Sequence, residues 1–368
     1  MVDCNAGGMT LGQITKTLPI GIDLGNSSIK MAQLKPEQES LDLVAAAAFD
    51  VPPHCRVDQN SHLQFAEQAI RDALRTTPFQ GRKCIVCLPD PQTFLQHIRV
   101  PRLDAWAMTK AVRNELTGKL PYSVDDAVIQ HIVAGNVFGD PDNKQEVIVV
   151  AANRGALESY LTMVAKCKLE VVGINIGSCA IVECFSRLFR VGDANNVVLY
   201  IDLGASSTHV VVAHSHKLVF ARNLAQGEVQ VDQAVASGMG ITADQAHALR
   251  WDLCRAGRGD AAEDEFYRYI DVPLMNLAHE INQCLHYYES AFRNQPAERI
   301  VFVGGGAYDK RLCQTLARQL NLPAQIGDPL VRVRRPEGVR LPMGLERREP
   351  QPNWAVAVGL SLGAGLAA

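Results

Sequence analysis

Apolar positions along the chain follow two periods. Short runs alternate with polar residues or are wholly apolar, and Gly, Pro and Asp punctuate them. Longer runs place apolar residues three and four apart. The first pattern marks strands and the second amphipathic helices. "LPIGID" (Leu18–Asp23) and "IKMAQLK" (Ile29–Lys35) read as two strands joined by a tight turn, and "ESLDLVAAAAFDVP" as a third. "FAEQAIRDALRTT" (Phe65–Thr77) has helical spacing, and "KCIVCLP" closes an α/β unit with a buried strand. The pattern then changes: "HIRVPRLD", "AWAMTKAVRNELTGKL" and "PYSVDDAVIQHIVAG" predict a strand, a helix and a strand, with Pro89, Pro91 and Pro121 at the edges. The α/β alternation resumes with strand "QEVIVVAAN", helix "RGALESYLTMVAKCKL", strand "EVVGIN" and a connecting helix "SCAIVECFSRLF".

A second half restarts the same order. "NNVVLYIDLGASSTHVVVAHSHKLVFARNL" predicts three antiparallel strands. Residues 228–270 are mostly helical, and "VPLMNLAHEINQCLHYYESAF" is a long helix. "RIVFVGGGAYDKRLCQTLARQL" reads as strand, glycine turn and helix, and "NWAVAVGLSLGAGL" as a small-residue helix. The expected organisation is therefore a loose segment at 1–17 and a first half at 18–91 and 147–195. A small αβ insert at 92–146 interrupts that half and must pack against it, because it is too small to hold much core alone. A second half covers 196–227 and 271–368, with a helical subdomain at 228–270. Two halves of this kind leave a cleft between them, where ligand sites favour.

The length of 368 residues suits two or three domains, and 47% hydrophobic with 20% charged residues suits a globular chain with sizeable cores. The net charge of −3 gives no long-range attraction to nucleic acid. No apolar run reaches the roughly 18–20 residues of a membrane span, and the N-terminus lacks the basic and apolar regions of a signal peptide. The ten cysteines are scattered in apolar surroundings, as expected of reduced thiols in the cytosol. Cys84 and Cys87 have redox or zinc spacing, but on a strand residues three apart face opposite ways. "HSH" at His214–His216 reads as a hairpin turn rather than a metal site.

The chemistry sits in a repeated turn. "DLGNSS" occupies Asp23–Ser28 and "DLGASS" occupies Asp202–Ser207, each between two strands. A polyphosphate with Mg²⁺ needs backbone N–H groups that can come close, which glycine permits. It needs hydroxyls to bind phosphate oxygens, and carboxylates to hold the metal or its waters. Asp23, Gly25, Ser27 and Ser28 supply these in one copy, and Asp202, Gly204, Ser206 and Ser207 in the other. A single copy is an ordinary hairpin turn; two copies point to two grips on one ligand. Gly304, Gly305 and Gly306 end a strand before a helix and fit a third, adenosine-facing loop. No G-x-x-x-x-G-K-[ST] is present, so this is not a P-loop.

These motifs, in this order, resemble the superfamily of actin, the heat-shock chaperones and the sugar kinases. Together with "LPYSVDDAVIQHIV", "HEINQCLHYYESAF" and "FVGGGAYDKRLCQTLARQLNLPAQIGDPL", they resemble the PilM type IV pilus assembly proteins, relatives of the cell-division protein FtsA. The resemblance covers about residues 18–366. It implies an actin-like (ribonuclease H-like, duplicated) ATPase fold around a nucleotide cleft. It implies ATP and Mg²⁺ as cofactors. Asp23, Gly25, Asn26, Ser27, Ser28 and Lys30 match the first phosphate loop, and Asp202, Gly204, Ala205, Ser206 and Ser207 the second. Gly304, Gly305 and Gly306 match the adenosine loop, and Asp23 and Asp202 the metal-facing acids.

The implied protein is a cytoplasmic scaffold that binds the N-terminal tail of a PilN-like membrane protein. It would thereby associate peripherally with the inner membrane, alongside other pilus or secretion components. Hydrolysis would be slow, since no water-orienting residue stands out, and self-association stays open. The alternatives are a small-molecule kinase or phosphatase of this superfamily and an FtsA-like filament former. "AQGEVQ" (Ala225–Gln230) departs from the family in having one glycine where relatives often have two. The partner tail is expected in a groove along the insert, with Trp106, Asp125 and Asp126 near it. The arginine-rich run between Arg332 and Arg348 reads as a solvated loop.

Overall fold

The computed structural model describes residues 17–37, 40–188, 197–256, 261–293, 295–335 and 349–363. The expected lead-in and most of the arginine-rich run lie outside these residues. Each half is built on the same three-strand kernel. In the first, β1 (Ile20–Leu24) and β2 (Ser28–Glu37) form a hairpin, and β4 (Lys83–Cys87) lies parallel to β1. In the second, β9 (Val197–Leu203) and β10 (Thr208–His214) form the hairpin, and β12 (Arg299–Val303) lies parallel to β9.

The first kernel grows into a six-stranded sheet by adding β3 (Ser40–Asp50), β8 (Glu170–Asn175) and the short β14 (Val333–Arg334). The second grows into five strands with β11 (Lys217–Leu224) and β13 (Ala324–Ile326). Cys84 and Cys87 fall in different core clusters, as strand alternation requires, so the pair makes no common site. The "HSH" stretch is the β10–β11 turn, with Ser215 in the left-handed region at φ 56°.

The helix expected at Phe65–Thr77 starts six residues earlier: α1 spans Gln59–Thr76. Its first turn is polar and shows no apolar period. Asp58 starts it by accepting from the N–H groups of Asn60 and Ser61 at 2.9 and 3.0 Å. His62 on this added turn places Nε2 3.1 Å from the Gly25 carbonyl, so α1 props the first DLGxSS turn.

The insert differs from expectation twice. Its strands β5 (Thr93–Val100) and β6 (Ala127–Asn136) flank β7 (Gln145–Asn153) in the order β5-β7-β6. β7, assigned from sequence to the first half, is the centre of the insert sheet. One face of that sheet carries α2 (Ala105–Leu116) on Val147, Val149 and Ala151. The other face joins the core of the second half, where Ala134 and Ile148 are buried. The insert therefore packs on the second half, not on the first. A small sheet with one apolar face left over must bury it, and β11 with α8 (Asp271–Ala291) offers the apolar wall.

The C-terminal segment also crosses over. α10 (Ala355–Leu362), read as second half, packs on β1, β2, β4 and α4 (Gly177–Leu188). The contact is backbone-close: a Cβ at Gly21 would sit 2.1 Å from the Ala357 carbonyl, and one at Gly359 1.9 Å from that of Ala180. Nearby, β14 is held on β3 by two Arg334–Asp42 hydrogen bonds of 2.7 Å. The helical layer of residues 228–270 comprises α5 (Glu228–Met239), α6 (Ala243–Ala256) and α7 (Ala261–Arg268). Between α7 and the glycine-turn helix α9 (Lys310–Leu320), Arg311 stacks 4.3 Å over Tyr267. Among the described residues, no helix is long and apolar enough to cross a membrane.

Candidate functional site

The two repeated turns meet across a cleft of about 700 Å³, within the size of ligand pockets. Asp23, Gly25, Asn26, Ser27, Ser28 and Lys30 line one wall. Asp202, Gly204, Ala205, Ser206, Ser207, Gly304 and Gly305 line the other. Gly306 is buried just behind, where a Cβ would be 2.8 Å from that of Leu203. The turns also share a conformation: a Cβ on Gly25 would lie 2.8 Å from the Ser28 carbonyl, and one on Gly204 2.8 Å from that of Ser207. They touch directly, with Asn26 Nδ2 donating to Ser206 Oγ at 3.3 Å. Lys30 Nζ donates to Ser28 Oγ, which ties the lone cation of the first turn to its hydroxyl.

Asp23 and Asp202 end the equivalent strands β1 and β9, so both carboxylates point to the cleft floor. Burial raises the Asp23 carboxyl from the ordinary 3.8 to about 6. Lys30 opposes the rise, Asp202 and Asp90 add to it, and His209 opposes it. The folded protein thus binds this proton more tightly than the unfolded chain. Stability from Asp23 is full below pH 3.8 and is lost as pH rises through about 6. Asp23→Asn is therefore expected to raise the thermal midpoint of the ligand-free protein at pH 8 and to flatten its fall between pH 4 and 7. An equal midpoint at pH 8 would refute that cost.

Two contributors, Asp90 and His209, were not legible in the sequence. Asp90 lies in the loop after β4, the first half's counterpart of the glycine loop after β12, and by strand register it aligns with Gly306. Its Oδ2 lies 2.7 Å from His209 Nε2 and accepts from Ser207 Oγ, across the cleft floor. His209 Nδ1 in turn faces Asp202 Oδ2 at 3.2 Å. Burial would lower the His209 pKa, but the carboxylates of Asp90 and Asp202 beside the ring raise it well above the usual value. Burial pushes Asp90 up, yet His209 and Ser207 hold it below the ordinary carboxylate value. Gly227, the single glycine that sets "AQGEVQ" apart in the sequence, also belongs to this wall. A Cβ there would meet the Gly204 and Ala205 carbonyls at 2.6 Å, so α5 begins directly on the second turn.

Glu228, at the start of α5, and Asp232 pair with the fully buried Arg250 at 2.6 and 2.8 Å, locking α5 to α6. Gly304 packs as close to the second turn: its φ is +86°, and a Cβ would be 2.3 Å from Asp202 Oδ1. Only glycine combines that angle with that approach. His247, Trp251 and Tyr308 continue the wall, with the Trp251 and Tyr308 rings 5.9 Å apart.

The residues fit a metal that arrives with a phosphate ligand. Asp23, Asp90 and Asp202 concentrate negative charge on the floor, while no set of three side chains among the described residues could hold a metal alone. Mg²⁺ commonly takes one or two carboxylates and completes its shell with phosphate and water. The expected partner groove is less defined. Trp106 is 75% exposed with Lys110 5.6 Å from its ring, whereas Met108, Val112 and Leu116 form the buried face of α2. Asp125 accepts from Arg113 at 2.7 Å.

A duplicated α/β kernel with paired hairpin turns facing one cleft defines the actin-like ATPase fold. The model of the type IV pilus assembly protein PilM matches residues 21–364, and the chain belongs to that family. A solved PilM–PilN type IV pilus biogenesis complex is 22% identical, covering 94% of this chain and 97% of that one, with a TM-score of 0.76. The ethanolamine utilization protein EutJ from Carboxydothermus hydrogenoformans is 16% identical over 95% of this chain and 90% of that one, at a TM-score of 0.55. MreB5 of Spiroplasma citri, solved with ADP, is 10% identical over 94% and 95%, at 0.50.

Proposed function

We propose that this chain is a cytoplasmic, ATP-binding scaffold of a type IV pilus machine. It binds the N-terminal tail of a PilN-like membrane protein and is held at the inner membrane through that partner. The observation that carries the nucleotide reading is the meeting of two like turns, each with an acid, a glycine and hydroxyls, across one cleft. Asp23 and Asp202 hold Mg²⁺ directly or through water. Both turns take the phosphates, and Gly304–Gly306 face the adenosine. The partner reading follows from family membership and from the PilN bound in the solved relative. Among the described residues the insert packs on the second half and meets the first mainly at the chain crossings, and the gap left between insert and first half is where we place the tail.

Phosphoryl transfer needs a positioned nucleophile as well as charge stabilisation. His209 is already engaged by two carboxylates, so the cleft grips better than it activates. ATP with Mg²⁺ should bind in calorimetry, and turnover should stay well below the 1–100 per second of kinases. A synthetic PilN-like tail should bind the full chain in a fluorescence titration. Kinase-like turnover, or no heat of ATP binding, would each sink the scaffold reading.

A further inference from the structure

Glu146 is fully buried between the insert and the second half, and its partners come from both. Oε1 accepts from Tyr287 Oη of α8 at 2.7 Å and lies 3.0 Å from His97 Nδ1 of β5. Oε2 accepts from Arg99 Nε at 3.0 Å. The other side of His97 reaches the second half as well. Its Nε2 is 3.1 Å from the Ala221 carbonyl of β11, and its ring stacks 4.7 Å from Phe220. Further along, the Phe138 N–H donates to the Ala291 carbonyl at 3.0 Å. A Cβ on Gly135 would be 2.9 Å from the Phe292 ring. This is a packed apolar interface with a satisfied buried carboxylate at its centre, the kind of polar network that fixes one arrangement.

Among the described residues the first half makes no comparable contact with the insert. Among the described residues it meets the insert mainly where the chain passes between them: at the Asp90–Gln92 turn before β5, and where β7 runs into α3 (Arg154–Lys166). The first of these crossings carries Asp90, which reaches Ser207 and His209 on the second phosphate turn.

We infer that the insert and the second half move as one body, so that closing the cleft swings the insert against the first half. The insert is then a lever: what the phosphate turns hold is reported at the seam where the tail binds. The lever's input and output rest on the nucleotide and tail reading above; the single body does not. Coupling of two ligands through such an element is reciprocal.

Spin-label distance distributions on the full chain test this, with labels carried by unnatural residues at exposed Asn114 of α2, Lys217 of β11 and Gln64 of α1. Without ligand, the Asn114–Lys217 distribution should be narrow and the Asn114–Gln64 distribution broader. Tyr287→Phe, and separately His97→Gln, should abolish the narrow Asn114–Lys217 peak. An Asn114–Lys217 distribution as broad as the Asn114–Gln64 one, or one unmoved by both variants, overturns the inference. Mg²⁺ with ATP is the separate arm. A shift confined to the pairs that include Gln64 supports the lever, and a shift confined to Asn114–Lys217 overturns it. No heat of binding and no shift in any pair sinks the nucleotide reading, and the ligand-free widths still decide whether the insert and second half are one body.

Discussion

Alanine at Asp202 lowers ATP affinity in the presence of Mg²⁺ by at least about tenfold, a loss of ~1.4 kcal/mol. Alanine at Asp23 does the same. Calorimetry with and without chelator separates the causes. With Mg²⁺ removed, the variants should bind ATP at least as tightly as the parent, because the carboxylates act through the metal and otherwise repel phosphate. The expected gain in ligand-free stability from Asp23→Asn belongs to the same physics. Asp23 is held in a setting that disfavours its charge, and a divalent cation relieves that cost only when ligand is bound. Unchanged Mg²⁺-dependent affinity in both alanine variants would remove the acids from the site.

The second large effect lies at the back of the molecule. Gly359→Ala should cost about 3 kcal/mol or more, since it forces a methyl into a packed interface. The added carbon would stand 1.9 Å from the Ala180 carbonyl, where backbone rather than a movable side chain blocks it. The thermal midpoint should fall by roughly 5–10 °C. Gly155→Ala is the control. The nearest atom there is 3.4 Å away, and the site is the first turn of α3. Alanine favours a helix over glycine by up to about 1 kcal/mol, so that variant should be neutral or slightly more stable. Equal midpoints for the two variants would show that α10 and α4 can part at little cost.

Local signals were legible and pairings were not. The turns at Asp23–Ser28 and Asp202–Ser207 announce themselves because their chemistry is written in six adjacent residues. Gly304 is readable for the same reason. Asp90 is a lone acid between prolines and gains meaning only through the parallel pairing of β4 with β1. That pairing brings together residues some sixty positions apart. It could have been found by symmetry: if the loop after the parallel strand matters in one half, its counterpart is a candidate in the other. His209 was hidden in a strand whose alternation reads as plain core. β7 misled because nine apolar-rich residues fit any central strand, and nothing local says which sheet owns it. The same holds for α10, whose small residues signal a close approach without naming the surface approached.

Because α10 lies on β1, β2 and β4, residues near position 20 wait for residues near position 360 before their sheet is covered. On the ribosome that interval is roughly 20–70 seconds at usual elongation rates. During it the opening hairpin exists with an apolar face that its own neighbours cannot hide. The nascent chain is thus a client for chaperones until α10 has been made, and a message truncated before α10 leaves the first half uncovered. The two halves are made in turn, but the first is closed only when α10 docks on it.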